Sequence, residues 1–167
     1  HLKGIGSITS NNTVTVLNEI GKKINYKTKY IVISTGSKPA SLPGIKIDEK
    51  SVVSSTGALS FNQIPKDLVI IGGGYIGLEM GSVWKRLGSN VTVIEFLDSI
   101  IPEMDKEISN ELLKILKKQE INFKLNCEVT GVNFVKNKAV VDVTHNGTRK
   151  RERIECDKVL VAVGRKP

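Results

Sequence analysis

With 167 residues, 40% of them apolar, the chain is long enough to bury a sizeable core and is expected to form one domain with at most part of a second. Its 25 basic and 17 acidic side chains give a formal charge of +8, which favours anionic partners such as nucleotides, nucleic acid or an acidic protein surface without choosing among them. Cys127 and Cys156 stand in neither a C-x-x-C nor a C-x-x-x-x-C arrangement, so no motif for a zinc cluster or redox dithiol is visible, and no apolar run approaches the roughly 18 residues of a membrane span. Two reduced, buried thiols in a soluble, reducing setting are the expectation, and neither membrane nor nucleic acid is expected as a partner.

Taken in order, the chain opens with short β-like runs at Ile5 to Ile8, Thr13 to Leu17, Ile24 to Tyr26 and Tyr30 to Ile33, punctuated by Asn11-Asn12 and Gly21. The pattern predicts an antiparallel meander whose last, buried strand delivers the backbone into Ser34-Thr35-Gly36-Ser37. Lys38 to Gly44 has two prolines and no periodicity, as a linker or crossover would.

From Leu68 the pattern changes to alternating strand and helix. Leu68-Val69-Ile70-Ile71 is a buried strand, followed by Gly72-Gly73-Gly74-Tyr75-Ile76-Gly77 and a helix whose apolar face is expected at Ile76, Met80, Val83, Trp84 and Leu87, with Gly88 as its C′ residue. Val91 to Ile94 forms the next strand, ending at Glu95. Asp105 is placed to cap a second helix with Ile108, Leu112, Ile115 and Leu116 inward and Lys117 and Lys118 in its last turn. Ile121, Phe123 and Leu125 alternate as a third strand. A second meander, Val129 to Val135, Ala139 to Thr144 and Arg151 to Ile154, turns at Lys136-Asn137-Lys138. The apolar run Val159 to Val163, ending at Gly164, looks buried on both faces like a parallel strand. The basic run Arg149 to Arg153 reads as the solvated face of a hairpin, with a nucleic-acid patch as the alternative.

The chemistry lies at the glycines. A G-x-G-x-x-G alone is a weak signal, but here it follows a strand, opens a helix and precedes an acidic residue at the end of the next strand. Gly72 allows the turn, Gly74 leaves room for a pyrophosphate, and Gly77 lets the helix pack close to the sheet. The amides of the helix's first turn point at phosphate, whose charge the helix dipole favours. Glu95 is placed to take a ribose 2′-hydroxyl and to repel a 2′-phosphate, and Phe96 rather than Arg follows it, so NAD is predicted over NADP.

Beyond the fingerprint, Gly72 to Trp84, preceded by Ser54 to Leu59 and followed by Val93-Ile94-Glu95-Phe96, closely resembles the dihydrolipoamide dehydrogenase family. These are the E3 components of 2-oxo acid dehydrogenase complexes, within the class I pyridine nucleotide-disulfide oxidoreductases. The likeness runs from about Gly4 to Pro167. It implies an FAD-binding domain interrupted by an NAD-binding domain, with a C-terminal interface domain that makes a homodimer. Residues 1–48 are then the closing meander and linker of the FAD-binding domain, and 49–167 a Rossmann-like α/β NAD-binding domain with a parallel sheet and a β-meander crossover.

The resemblance implies FAD contacts at Gly6, Thr35, Gly36 and Ser37. For NAD it implies Gly72, Gly73, Gly74, Tyr75, Ile76, Gly77, Leu78 and Glu79, then Glu95, Val129 and Gly164. It also implies that Glu79 lies near the flavin and that Tyr75 covers the nicotinamide pocket, as a tyrosine does in some relatives. No residue here matches the family's dithiol or catalytic histidine, so no catalytic residue is expected; with His1 in place of Met and an end at Pro167, the chain is expected to be an inactive interior fragment. The parent is expected to oxidise dihydrolipoyl groups, to serve lipoyl domains, and to work in bacterial cytoplasm or the mitochondrial matrix. Mercuric reductases, NADH oxidases and transhydrogenases share the plan and stay open as alternatives, as does a non-catalytic nucleotide- or nucleic-acid-binding module.

Overall fold

The structure, a computed structural model, describes residues 1–136 and 138–167. The expected turn at Lys136 to Lys138 has its middle residue, Asn137, outside the described residues. The chain separates into two compact units, 1–36 and 37–167.

The first unit is an antiparallel meander, β1 (Ile5–Ser10), β2 (Thr13–Leu17) and β3 (Lys23–Lys27), in that spatial order. Ile5 faces Leu17 and Val16 faces Ile24, with an irregularity near Thr9. Asn12 donates through Nδ2 to the Thr28 and Lys29 carbonyls and ties down the chain leaving β3. The buried strand expected at Tyr30 to Ile33 is not formed: these residues are irregular, and Tyr30 and Val32 are more than four-fifths exposed. A strand covered on both faces needs neighbours to pair with its backbone, and no described strand pairs with this stretch.

In the second unit β5 (Val52–Val53), β6 (Asp67–Ile71), β7 (Asn90–Ile94), β8 (Asn122–Lys124) and β12 (Lys158–Val161) form a parallel sheet in the order β5-β12-β6-β7-β8. Side-chain alternation sorts its residues into two cores. Val53, Leu68, Ile70, Val91, Val93 and Leu160 face α1 (Ser55–Ala58), α2 (Tyr75–Arg86) and α3 (Lys106–Lys118). Val52, Val69, Ile71, Ile94, Val159 and Val161 face a second antiparallel meander, β9 (Cys127–Val135), β10 (Lys138–His145) and β11 (Arg151–Cys156), through Ala139, Val141 and Val143. The sheet is thus covered on both faces, which is why its strands are continuously apolar. The segment before β5 packs here too, with Ile45 in the second of these cores. Short strands β4 (Lys38–Pro39) and β13 (Arg165–Lys166) pair antiparallel.

The helices end as their caps dictate. Asp105 accepts the Glu107 amide at 2.8 Å to start α3, and Lys117 and Lys118 occupy its last turn. Gly88 follows α2 with the paired bonds Ser89 N–H to Trp84 O and Gly88 N–H to Lys85 O that define a Schellman stop. Their inward faces differ from those expected. On α2 the buried residues are Gly77, Leu78, Gly81 and Trp84, whereas Val83 and Leu87 are about half exposed, at 45% and 50%. On α3 Ser109 and Leu116 are buried while Ile108 and Ile115 lie outward. The reason on α2 is close approach: glycine has no side chain to count in an apolar periodicity, yet it brings the helix backbone onto Ile70. On α3 the buried Ser109 hydroxyl donates to the Ile100 carbonyl at 2.7 Å, a polar tie that apolar periodicity cannot register.

A Cβ at Gly77 would run into the Gly72 carbonyl oxygen, which is fixed backbone, whereas one at Gly81 meets the movable end of Ile70 at 3.0 Å. In the complete protein Gly77→Ala is therefore expected to cost about 2 kcal/mol or more, lowering the midpoint of thermal unfolding by several degrees. Gly81→Ala, which gains about 1 kcal/mol of helix propensity against a mild crowding, should stay near wild type.

Candidate functional site

Five parallel strands share one carboxyl edge, so residues far apart in sequence meet there. Gly72 follows β6, Glu95 follows β7, Leu125 follows β8 and Ala162 to Gly164 follow β12. Successive units from β6 run outward through β7 to β8, while β12 and β5 lie on the other side of β6. The order reverses between β6 and β12, and open α/β sheets bind ligands at such a reversal.

The turn after β6 is shaped by its neighbours. Gly72 has φ +110, and a Cβ there would collide with the Ala162 carbonyl oxygen, so only glycine fits. Its amide donates to the Ile94 carbonyl at 2.9 Å, and the Gly73 carbonyl accepts the Ile101 amide at 2.9 Å. Gly74 is the N-cap of α2; it offers no side-chain cap, and a Cβ on it would meet nothing within 4 Å. The first-turn amides of α2 have no helical carbonyl to bond, and Gly74 and Tyr75 line the cleft there.

Glu95 is half-buried and held at four points. Its backbone donates to the Lys124 carbonyl and accepts from the Cys127 amide. Its carboxylate spans the site: Oε2 accepts the Gly73 amide at 2.6 Å and Oε1 accepts the Leu97 amide at 2.9 Å. The side chain thus joins the glycine turn to the loop after β7.

Around these groups lies a cleft of about 1050 Å³. Gly72, Gly74, Tyr75, Ile76, Leu78, Glu79, Glu95, Val129 and Gly164, all singled out from the sequence, line it. Gly73 and Gly77 are buried behind it, against Glu95 and the Gly72 carbonyl. Gly6 lies within β1 opposite Val16, and Thr35 and Gly36 are exposed at the end of the first unit. Ser37 is instead gripped by Arg165, whose Nε donates to Ser37 Oγ at 2.7 Å and whose Nη2 donates to the Ser37 carbonyl at 2.6 Å.

Sequence reasoning missed Arg165 and the loop from Phe96 to Met104. That loop lines the cleft with Phe96, Ile101 and Met104, and Ile100, fully buried, anchors it. The apolar Ile100-Ile101-Pro102 within a polar stretch, just before a helix cap, was its only signal. The cleft carries Glu79, Glu95, Glu103 and Glu128 against one cation, Arg86, so the chain's positive charge does not gather there. Any anion held beside Gly74 relies on backbone amides and the α2 dipole.

A family model described as pyridine nucleotide-disulphide oxidoreductase matches residues 2–167. Among similar proteins, a dihydrolipoamide dehydrogenase of Chaetomium thermophilum is 51% identical over 173 residues, covering 100% of this chain and 33% of its own length. A mitochondrial dihydrolipoyl dehydrogenase of Pisum sativum is 47% identical, covering 100% of this chain and 33% of its own length. A leghemoglobin reductase of Glycine max is also 47% identical, with 100% and 32% covered. The chain spans about a third of the length of the curated relatives it matches. Among solved structures, the Cu(II) complex of the Escherichia coli HOCl-induced flavoprotein disulfide reductase RclA superposes with TM-score 0.79 at 30% identity, over 98% of this chain and 36% of that one. LpdA of Mycobacterium tuberculosis, at 19% identity and TM-score 0.84 over 99% of this chain and 36% of its own, shares the fold.

The two thiols belong to the core beneath the cleft. Cys127 lines the cleft floor, donates to the Leu125 carbonyl at 3.2 Å, and has its pKa raised by burial. Burial pushes the Cys156 thiol up to about 12. Stability from protonated Cys156 is complete below the ordinary thiol range and falls as pH rises from there towards about 12. Neither thiol should react with iodoacetamide in the native complete protein at pH 8, and both should be labelled once denaturant is added, as mapped by mass spectrometry; rapid native labelling of Cys156 would contradict its burial.

Proposed function

The chain belongs to the pyridine nucleotide-disulphide oxidoreductase family, and from that premise we propose that it is the NAD-binding segment of an FAD-dependent dihydrolipoamide dehydrogenase. The observation that carries the reading is the glycine turn of α2, open to the cleft, with the Glu95 carboxylate 2.6 Å from the Gly73 amide beside it. A pyrophosphate fits where a Cβ on Gly74 would meet nothing, accepting hydrogen bonds from the Gly74, Tyr75 and Ile76 amides. Glu95 accepts from the adenosine ribose hydroxyls and repels a 2′-phosphate. Gly72, Gly73 and Gly77 set the turn, Ile76 and Leu78 seat its helix, and Val129 and Gly164 complete the wall.

Residues 49–167 are on this reading the NAD-binding domain. Residues 1–48 are the closing part of an FAD-binding domain and its linker, with Gly6, Thr35, Gly36 and Ser37 on the flavin side. Glu79, exposed on α2 one turn past Tyr75, faces the flavin side of the nicotinamide. When bound, FAD passes electrons taken from dihydrolipoyl groups to NAD, which leaves as NADH. This segment binds, orients and keeps out water; no residue in it is catalytic, and expressed alone it turns nothing over. The complete protein is a homodimer serving the lipoyl domains of a 2-oxo acid dehydrogenase complex. The relatives named as mitochondrial support the matrix for a eukaryotic parent; a bacterial one would work in the cytoplasm.

In the complete protein, Glu95→Arg should shift the NADPH-to-NADH ratio of kcat/KM by about tenfold or more towards NADPH, since about 1.4 kcal/mol of lost repulsion is a factor of ten. An unchanged ratio would remove Glu95 from the ribose site. Tyr75 opens α2 and is 63% exposed at the cleft, free to cover the nicotinamide. Tyr75→Val should therefore alter nicotinamide affinity and the rate of flavin reduction by NADH in stopped-flow measurements; identical values would rule out a covering role.

A further inference from the structure

The start of the loop that carries the Glu95 clamp is not fixed by apolar packing, although Ile100 further along it is buried. Phe96 and Leu97 are exposed, at 58% and 43%, so hydrogen bonds must hold their backbone. These bonds lead away from the sheet to the tip of the β10–β11 hairpin. The Leu97 carbonyl accepts the Asn126 amide at 2.7 Å, and the Asn126 carbonyl accepts the Asn146 amide at 2.9 Å. The half-buried Asn146 side chain then closes the circuit, its Nδ2 donating to the Phe96 carbonyl at 3.0 Å, fifty positions away in sequence.

Each link has a local reason. Asn126 has φ +55, a left-handed conformation that asparagine tolerates better than most residues, and it turns β8 into β9 where its amide meets Leu97. The hairpin tip is itself tied, with the Arg149 amide donating to the His145 carbonyl and the Thr148 amide donating to His145 Nδ1 at 3.3 Å. Asn146 therefore projects from a braced turn, and its amide is the side-chain donor that reaches Phe96.

We propose that Asn146 is a positioning residue for the adenosine half of the nucleotide: it fixes the Phe96–Leu97 loop, whose Leu97 amide orients the Glu95 carboxylate. The proposal rests on the reading of Glu95 as the ribose ligand. It adds a residue on the crossover meander, outside the glycine fingerprint and outside the cleft lining, that sets affinity for adenosine-containing ligands without touching them. An alanine at this position removes the Phe96 tie and lets the carboxylate lose its second amide. An aspartate has the shape but no donor. A glutamine keeps the donor on a longer arm.

The test uses the complete protein and ADP-ribose, which has the adenosine and pyrophosphate but no nicotinamide, so binding is measured apart from hydride transfer. By calorimetric titration, Asn146→Ala and Asn146→Asp should each weaken ADP-ribose binding about three- to tenfold, the range for losing one tie to a charged group's support. Asn146→Gln should recover part of that loss. The KM for NAD should rise in step, with kcat at saturating NAD within about twofold and the KM for the dithiol substrate unchanged. Glu95→Ala should itself weaken ADP-ribose, and in that background Asn146→Ala should add little, because the two act through one carboxylate. If Glu95→Ala weakens binding and Asn146→Ala does not, the proposal is overturned and the ribose reading stands. If Glu95→Ala has no effect, both fall. A loss of kcat and thermal stability that Gln does not rescue would reduce Asn146 to a structural residue and also overturn the proposal.

Discussion

The site depends on how closely three backbones approach at the carboxyl edge of the sheet. β6 turns into α2 at Gly72, whose missing Cβ leaves space for the Ala162 carbonyl of the neighbouring strand end, and α2 in turn lies on the Gly72 carbonyl through Gly77. A side chain at either position would push α2 outward, tilt its first-turn amides and separate Gly73 from Glu95. What the cleft offers an anion beside Gly74 follows from that contact, since its charged side chains are mostly acidic and the amides and the helix dipole are what favour phosphate there.

The covering of the sheet explains why this edge is rigid enough to use. α2 and α3 cover one face and the β9–β11 meander the other, so Leu68 and Ile70 are buried on one side and Val69 and Ile71 on the other within a single strand. The meander has a second use. It brings Asn126 and the tip at Asn146 beside the loop after β7, so an element that reads as mere cover also steadies the loop that holds Glu95.

Much of this was legible before the structure. The strand, glycine turn, helix and acidic strand end were evident from residue type and spacing, because each glycine answers a steric demand and Glu95 closes the next strand. Asp105 and Gly88 marked a helix start and a helix stop for the same local reasons. The inward faces of α2 and α3 were not legible. Apolar periodicity counts large side chains, and the contacts that win are made by Gly77, Gly81 and Ser109. The strand expected at Tyr30 to Ile33 failed for a different reason: β-pattern is local, whereas pairing needs neighbours, and no described strand pairs with it. Arg165 and Asn146 act through hydrogen bonds to distant carbonyls, which leave no periodic trace.

On the proposed function, one nucleotide lies across the α2 amino end with its ribose on Glu95. A crystal structure of the complete protein soaked with ADP-ribose tests it most directly. Pyrophosphate oxygens are expected within hydrogen-bond distance of the Gly74 to Ile76 amides, with the adenosine ribose hydroxyls on the Glu95 carboxylate. Density for the ligand elsewhere, with the glycine turn and Glu95 untouched at saturating ligand, would contradict it.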